Sequence, residues 1–335
     1  MSSARIHWGI LGTARIAVEK VIPAMRRGRV SEVVAVASRD RERADAVAGV
    51  LGIARAYGSY EALLADRFVD AVYIPLPNHL HASWAIRAAE AGKHVLIEKP
   101  VALTAAEAVA VIAARDRTGV KMQEAFMVRA HPQWETAIDL VRAGRIGDVR
   151  VVNTHFSYRN TDPANIRNVP AFGGGGVMDI GCYIVHVARW IFAREPSRVV
   201  ALMQRDPDLG IDCATSMVMD FGDGRQAVGT CATQAVPYQR VHIIGDRGRI
   251  EIQIPFNAPA GERCRMLVHD GMDLRSAGEP IDAPPVDQYT IQGERFSRAI
   301  LEDTAVPLPL EDAVANMRVL DAVVRSAELG RWESV

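Results

Sequence analysis

Two stretches of the chain hold residue types able to do chemistry. In residues 94–100, HVLIEKP, the apolar run Val95, Leu96 and Ile97 reads as a parallel strand buried on both faces. Glu98 and Lys99 stand where that strand runs out. Ligands of open α/β sheets sit beyond the carboxyl ends of the strands, so this pair is where a ligand would be. Pro100 fixes the chain direction just after Lys99. A solvated Glu–Lys pair at a strand end is the plain alternative. The second stretch is residues 172–186, FGGGGVMDIGCYIVH. Its glycines give a backbone that can approach a flat ring closely. Beyond them Asp179, Tyr183 and His186 fall at i, i+4 and i+7, on one face of a helix. Polar groups on an otherwise apolar helix need partners if buried. The alternative is a core helix whose three polar side chains satisfy one another.

The elements that must position the first stretch alternate between strand and helix. Strands are expected over 6–11, 33–37, 69–74 and 95–97, and helices over 14–27, 41–51, 82–91 and 105–118. That alternation marks a parallel sheet wrapped by helices on both faces. The first strand-to-helix turn is Gly12-Thr13-Ala14-Arg15-Ile16-Ala17, a GxAxxA form of the dinucleotide fingerprint. Gly12 allows the tight turn, Ala14 lets the backbone approach a pyrophosphate and Ala17 permits close helix–strand packing. The helix N-terminus then offers N–H groups to the phosphates. The next strand ends in VAVASRD, with Ser38 and Arg39 at its tip, Asp40 beyond them and Arg43 one helical turn on. A hydroxyl and guanidiniums suit a 2′-phosphate better than a ribose diol, which favours NADP(H) with NAD(H) as the second choice. Otherwise the arginines are solvated and Asp40 merely caps a helix. In the exit Pro75-Leu76-Pro77-Asn78-His79-Leu80-His81, Asn78 is a cap or a ribose contact, and Leu76 and His81 are further cofactor-side candidates. No cysteine or carboxylate at ligand spacing supports a metal at His79 and His81.

Past Gln123 the pattern changes. A helix is expected over 132–143 and a strand over 150–158. Strand pairs at 217–221 with 226–232, and at 241–244 with 249–254, flank glycine–aspartate turns, as hairpins do. These imply a mainly antiparallel sheet with helices on one face, its open face a natural surface for self-association. Residues 271–285 read as a loop, and helices close the chain over 288–301 and 310–329. At 335 residues the chain suits two domains, divided here as 1–124 and 125–335, with the helix over 310–329 returning to the first domain. With a formal charge of -1 there is no basic excess to draw nucleic acid or anionic lipid. The start has no signal-peptide pattern, and no apolar run is expected to approach a membrane span. Cys182, Cys213, Cys231 and Cys264 are scattered without CxxC spacing, which argues against a zinc site or disulfide framework and for a reducing cytoplasm.

GILGTARIA, ASRDRERA, PLPNHLH, HVLIEKP, EAFMVRAHP, GGGGVMDIGCY and LEDAVANMRVLDAVVRSAELG together resemble the Gfo/Idh/MocA oxidoreductases, over nearly the whole chain. The resemblance implies a Rossmann domain, then an α+β domain with a large, mostly antiparallel open sheet, an active site between them, and dimers or tetramers. Where the inositol-dehydrogenase pattern has histidine, this chain has Tyr183. That is similar to the tyrosine branch of glucose–fructose oxidoreductase, dimeric dihydrodiol dehydrogenase, NADP-dependent xylose dehydrogenases and ketosugar reductases.

The chemistry implied is hydride transfer between a nicotinamide and a carbonyl or carbinol carbon of a sugar, ketosugar or cyclic polyol. Tyr183 would exchange the hydroxyl proton. A free phenol has a pKa near 10, and a nearby ammonium such as Lys99 favours the phenolate. Lys99 would also steady charge on the substrate oxygen. Asp179 would orient Lys99 or substrate, and Glu98 would shape the cofactor side. His186, Phe126, Arg129, Asn165 and Arg167 are substrate-side candidates. The rival readings are a redox-neutral, nicotinamide-dependent glycosidase and a nucleotide-sensing protein without turnover.

Overall fold

The computed structural model describes residues 4–271, 273 and 275–335, so Met272 and Leu274 of the expected loop over 271–285 lie outside it. The described residues form two compact units: those within 4–127 with 288–314, and those within 128–287 with 315–335.

In the first unit, strands Ile6–Leu11 (β1), Ser31–Ala37 (β2), Arg55–Tyr57 (β3), Ala71–Ile74 (β4), His94–Ile97 (β5) and Met122–Glu124 (β6) form one sheet in the order β3-β2-β1-β4-β5-β6. Every pairing in it is parallel. The strand order reverses between β1 and β4, where such sheets hold their ligands. The interior strands are apolar on both faces because helices cover both: β4 is buried at every position, and Trp8, Ile10, Tyr73 and Leu96 share one core cluster with Phe296. Phe296 belongs to Gln288–Leu301, a helix late in the chain that rejoins this unit. Trp8 donates through Nε1 to Ser297 Oγ at 3.1 Å, and Thr290 Oγ1 donates to the Ala24 carbonyl at 3.0 Å. The expected helix over 14–27 is wound as a π-helix over Ala17–Val21 before Ile22–Arg26 continues as α-helix. Pro23 has no N–H for the carbonyl a turn earlier, which relaxes the α register there.

The second unit is built on strands Val149–Arg159 (β7), Arg198–Arg205 (β8), Asp212–Asp220 (β9), Gln226–Ala232 (β10), Gln234–Gly245 (β11), Gly248–Ile252 (β12), Cys264–Asp270 (β13), Glu279–Ala283 (β14) and Glu333–Ser334 (β15). Their order is β14-β13-β12-β11-β7-β10-β9-β8-β15. The sheet is antiparallel except where β10 runs parallel to β7. The turn Gly222-Asp223-Gly224 has positive φ at all three residues, as a tight hairpin requires. The loop expectation over 271–285 is corrected, because β14 lies within it and pairs with β13. An edge strand bonded on one side and carrying Pro280 lacks the apolar alternation that marks a strand.

Helix Cys182–Phe192 lies on this sheet, preceded by a π-helical turn Val177–Gly181. The span Pro170–Phe192 does reach membrane-spanning length and hydropathy, against expectation, but its most apolar window is 72% buried inside the fold. It is apolar because it is a core helix. Two contacts pin it. Gly229 on β10 sits under Ile184, where a Cβ would come within 2.2 Å of Ile184 Cγ2. Asp212 is buried at the head of the π-helical turn and accepts the Val177 N–H through Oδ2 at 2.7 Å.

Both pins are testable. Gly229→Ala forces a stiff β-branched neighbour aside and should cost about 1–3 kcal/mol, read as a lower urea midpoint at unchanged slope. Burial raises the Asp212 carboxyl from 3.8 to about 6. A carboxyl that holds its proton more tightly when folded loses stability on ionising, so the cost appears as pH rises from 3.8 to about 6 and is complete above. Asp212→Asn keeps an oxygen for Val177 without the charge. Denaturation midpoints measured across that window should show the variant gaining about 2–3 kcal/mol on wild type as pH rises. A difference independent of pH would contradict the assignment.

Candidate active site

The first unit gathers its candidate residues at the carboxyl ends of β1, β2, β4 and β5. Gly12 has φ +121°, and a Cβ on it would meet Leu76 Cδ2 at 3.1 Å, so the turn is a glycine cradle roofed by Leu76. The Gly12 N–H is held by the Ala37 carbonyl at 2.9 Å, which ties the turn to the tip of β2. Ala17 is fully buried beneath it, while Thr13, Ala14, Arg15 and Ile16 are only partly buried or exposed. The small residues and backbone N–H groups of this turn fit a pyrophosphate.

At the tip of β2, Ser38 is buried and its Oγ accepts the Asp40 N–H at 3.2 Å. Asp40 caps helix Arg41–Leu51, its carboxylate accepting the Glu42 and Arg43 N–H groups at 3.0 and 3.3 Å. The Asp40 carboxylate is therefore engaged by the helix it starts. Arg43 reaches back through Nη2 to the Thr13 carbonyl at 3.4 Å, and Arg39 lies beside the Tyr60 hydroxyl. The Arg43 guanidinium thus reaches the turn, which fits a nucleotide bearing an extra phosphate.

Beyond β5, the Tyr73 hydroxyl donates to Glu98 Oε1, and the Lys99 N–H reaches Glu98 Oε2 at 3.3 Å. Tyr73 is fully buried on β4, so the glutamate is held from below by the neighbouring strand. The Lys99–Pro100 peptide is cis. Glu124, 1% exposed at the end of β6, accepts the Val101 N–H through Oε1 at 2.8 Å. Asn78 opens the short 3-10 turn Asn78–Leu80. His81 is 1% exposed, with both ring nitrogens on backbone carbonyls, so its ring faces protein rather than an open cofactor surface. Phe126 is likewise 1% exposed and stands in the core.

In the second unit, two glycines of the run leave no room for a Cβ. A Cβ on Gly174 would lie 2.5 Å from the Arg167 carbonyl oxygen, and one on Gly175 would lie 2.0 Å from Asp212 Oδ1. These glycines let the loop close onto its own chain. Asn165 caps Ile166–Asn168 by accepting the Arg167 N–H at 3.1 Å. The Arg167 side chain donates through Nε to Asp179 Oδ2 at 3.0 Å, and the Tyr158 hydroxyl donates to the same oxygen at 2.6 Å. Burial and the Asp179 charge hold the Tyr158 phenol well above its ordinary range, so it remains a donor. Asp179 thus sits between Tyr158 and Arg167, in the π-helical turn rather than on a continuous α-helical face with Tyr183 and His186.

Tyr183 is 4% exposed and packs against the rings of Phe156 and Phe256, with centroids 5.9 and 5.4 Å away. His186 lies next to Trp190, and the Arg129 guanidinium lies over the same indole, 3.9 Å from its centroid. Sequence reasoning missed Tyr158, Tyr73 and Asp212. Tyr73 sits in an apolar strand, where a tyrosine reads as core, and nothing in the sequence around Tyr158 indicates its partner. Among the described residues, no three or more His, Cys, Asp or Glu side chains are grouped to hold a metal ion.

Comparison with known proteins places this arrangement. Residues 6–126 match the oxidoreductase family described by its NAD-binding Rossmann fold, and residues 134–251 match the GFO/IDH/MocA C-terminal domain. An uncharacterised oxidoreductase of Rhizobium meliloti is 50% identical over 98% of this chain and 99% of its own. The D-xylose 1-dehydrogenase (NADP(+)) 2 of Haloferax volcanii is 43% identical over 96% of this chain and 98% of its own. Among solved structures, KijD10, a 3-ketoreductase from Actinomadura kijaniata in complex with NADP and TDP-benzene, superposes with a TM-score of 0.90 at 29% identity, covering 96% of this chain and 98% of that one. With two domain matches spanning most of its length, the chain belongs to the GFO/IDH/MocA family of NAD(P)-dependent oxidoreductases.

Proposed function

We propose that this protein is an NADP(H)-dependent dehydrogenase or reductase acting on a CH–OH carbon of a sugar, ketosugar or cyclic polyol such as a dihydrodiol. Tyr183 is the acid/base and Lys99 assists it. The observation that carries the reading is the placement of Lys99 and Glu98 at the carboxyl end of β5, beside the strand-order reversal of a dinucleotide-type sheet. The bound nicotinamide supplies or accepts the hydride. Every other task falls to the chain. The Gly12 turn receives the pyrophosphate. Ser38, Arg39 and Arg43 meet the 2′-phosphate, the Asp40 carboxylate being engaged as a helix cap. The naming of the Haloferax relative and the NADP in KijD10 support that choice of cofactor.

Tyr183 gives or takes the substrate hydroxyl proton. Tyr183 is buried among Phe156 and Phe256, and Lys99 is the ammonium assigned to stabilise its phenolate form. Asp179 accepts from Tyr158 and Arg167, which fixes its carboxylate for orienting the substrate side. The same protein is assigned to the cytoplasm, where its four cysteines, joined by no disulfide, stay reduced. It is also assigned a homo-oligomer through the open face of the second sheet, where Leu202, Val228, Val236 and Tyr238 are exposed.

Purified protein mixed with NADP+ and a panel of aldoses, inositols and trans-dihydrodiols should raise nicotinamide absorbance with at least one class. Tyr183→Phe should lower kcat by roughly a hundredfold or more. Wild-type turnover in that variant would remove Tyr183 from the chemistry. A separate titration addresses the cofactor: Arg43→Ala should raise the KM for NADP+ by roughly tenfold and leave that for NAD+ unchanged. Equal effects on both nucleotides would count against the 2′-phosphate contact.

A further inference from the structure

The His81 ring makes two contacts that a neutral imidazole cannot make together. Nδ1 lies 2.7 Å from the Pro100 carbonyl oxygen and Nε2 lies 2.7 Å from the Leu76 carbonyl oxygen. A carbonyl oxygen only accepts, so each contact needs an N–H on the ring, and a neutral ring has one. With the ring 1% exposed, no solvent can stand in for the missing proton. The two carbonyls belong to segments that matter. Leu76 roofs the Gly12 turn, and Pro100 directly follows Lys99.

We propose that His81 is a positioning residue, a doubly protonated imidazolium strap that ties the Leu76 segment to Pro100 and thereby holds the backbone carrying Lys99. The inference rests on the proposed role of Lys99. The opposing influences are burial, followed by the positive charges of Lys99 and His79, and they draw the ring down to about 4 despite the two carbonyls. That value describes a neutral ring at neutral pH, and it conflicts with the geometry. In a neutral ring one nitrogen lone pair would face a carbonyl oxygen at 2.7 Å in a dry, low-dielectric site, where that repulsion is strongest. The contacts decide for the imidazolium. The strap also accounts for a histidine at this position, since no other side chain offers two opposed N–H donors on a rigid ring.

The direct test is the protonation of the ring in full-length, histidine-15N-labelled protein, read in long-range proton–nitrogen spectra from about pH 6 to about pH 8. His81 is assigned through its backbone-linked ring carbons, so the test does not depend on a variant folding. Two protonated nitrogens across that range are expected, and a single protonated nitrogen at neutral pH overturns the proposal. In parallel, His81→Gln offers donors at one atom only and should lower kcat by roughly ten- to a hundredfold. A folded His81→Gln with wild-type kcat also overturns it. Lys99→Ala separates the two ideas. Full turnover in Lys99→Ala removes the proposed role of Lys99, and with it the function of the strap, whatever the ring carries. An inactive Lys99→Ala with a singly protonated His81 keeps that role and removes the strap.

Discussion

A polar group taken out of water must find a partner, and this molecule's candidate site is organised by that requirement. Glu98 stands at the end of an apolar strand and is held by the hydroxyl of Tyr73, itself fully buried on the next strand. Asp179 stands in the approach to an apolar helix and is held by Tyr158 and Arg167. Asp212 is held by the first N–H of the turn it anchors, and Trp8 by a serine from a helix some 290 residues further along the chain. Each partner comes from a neighbouring strand or a distant segment. The polar side chains therefore act as fasteners as well as candidate reagents, and a side chain already fastened loses little freedom when a substrate arrives.

Close backbone approach is the second organising device. The Gly12 turn, the 172–176 loop and Gly229 each occupy a place where a Cβ would collide with a neighbour. At Gly12 the space is taken by the Leu76 side chain. At Gly174 and Gly175 it is filled by the Arg167 carbonyl and by Asp212, and at Gly229 by Ile184. The same residue type makes the first strand-to-helix turn of a dinucleotide-type sheet in one unit and a tight internal joint in the other. Composition alone does not separate the two uses, because a glycine run has no side chain to indicate which surface it meets.

That difference describes how far the sequence was legible. Long periodic elements read well: helices Arg41–Leu51, Ala105–Thr118 and Gln288–Leu301 lie where their apolar spacing predicts, and the glycine–aspartate turns mark real hairpins. Short edge strands such as Arg55–Tyr57 and Met122–Glu124 did not, since three residues carry no period. The π-helical turns at Ala17–Val21 and Val177–Gly181 were also invisible, because their extra residue arises from local carbonyl pairing. Among candidate residues, Lys99, Glu98, Asp179 and Tyr183 stood out by type and spacing. Tyr158 and Tyr73 did not, because their roles depend on which strand lies beside them. His81 stood out for its chemistry, and only the fold shows that its ring meets two carbonyls.

The central claim is that a tyrosine, assisted by a lysine, moves the proton. The pH dependence of kcat/KM for substrate oxidation tests it most directly, compared between wild type and Lys99→Met. The account predicts an ionisation in wild type well below the free phenol value near 10, rising towards that value when the ammonium is removed. The same ionisation in both proteins would contradict it.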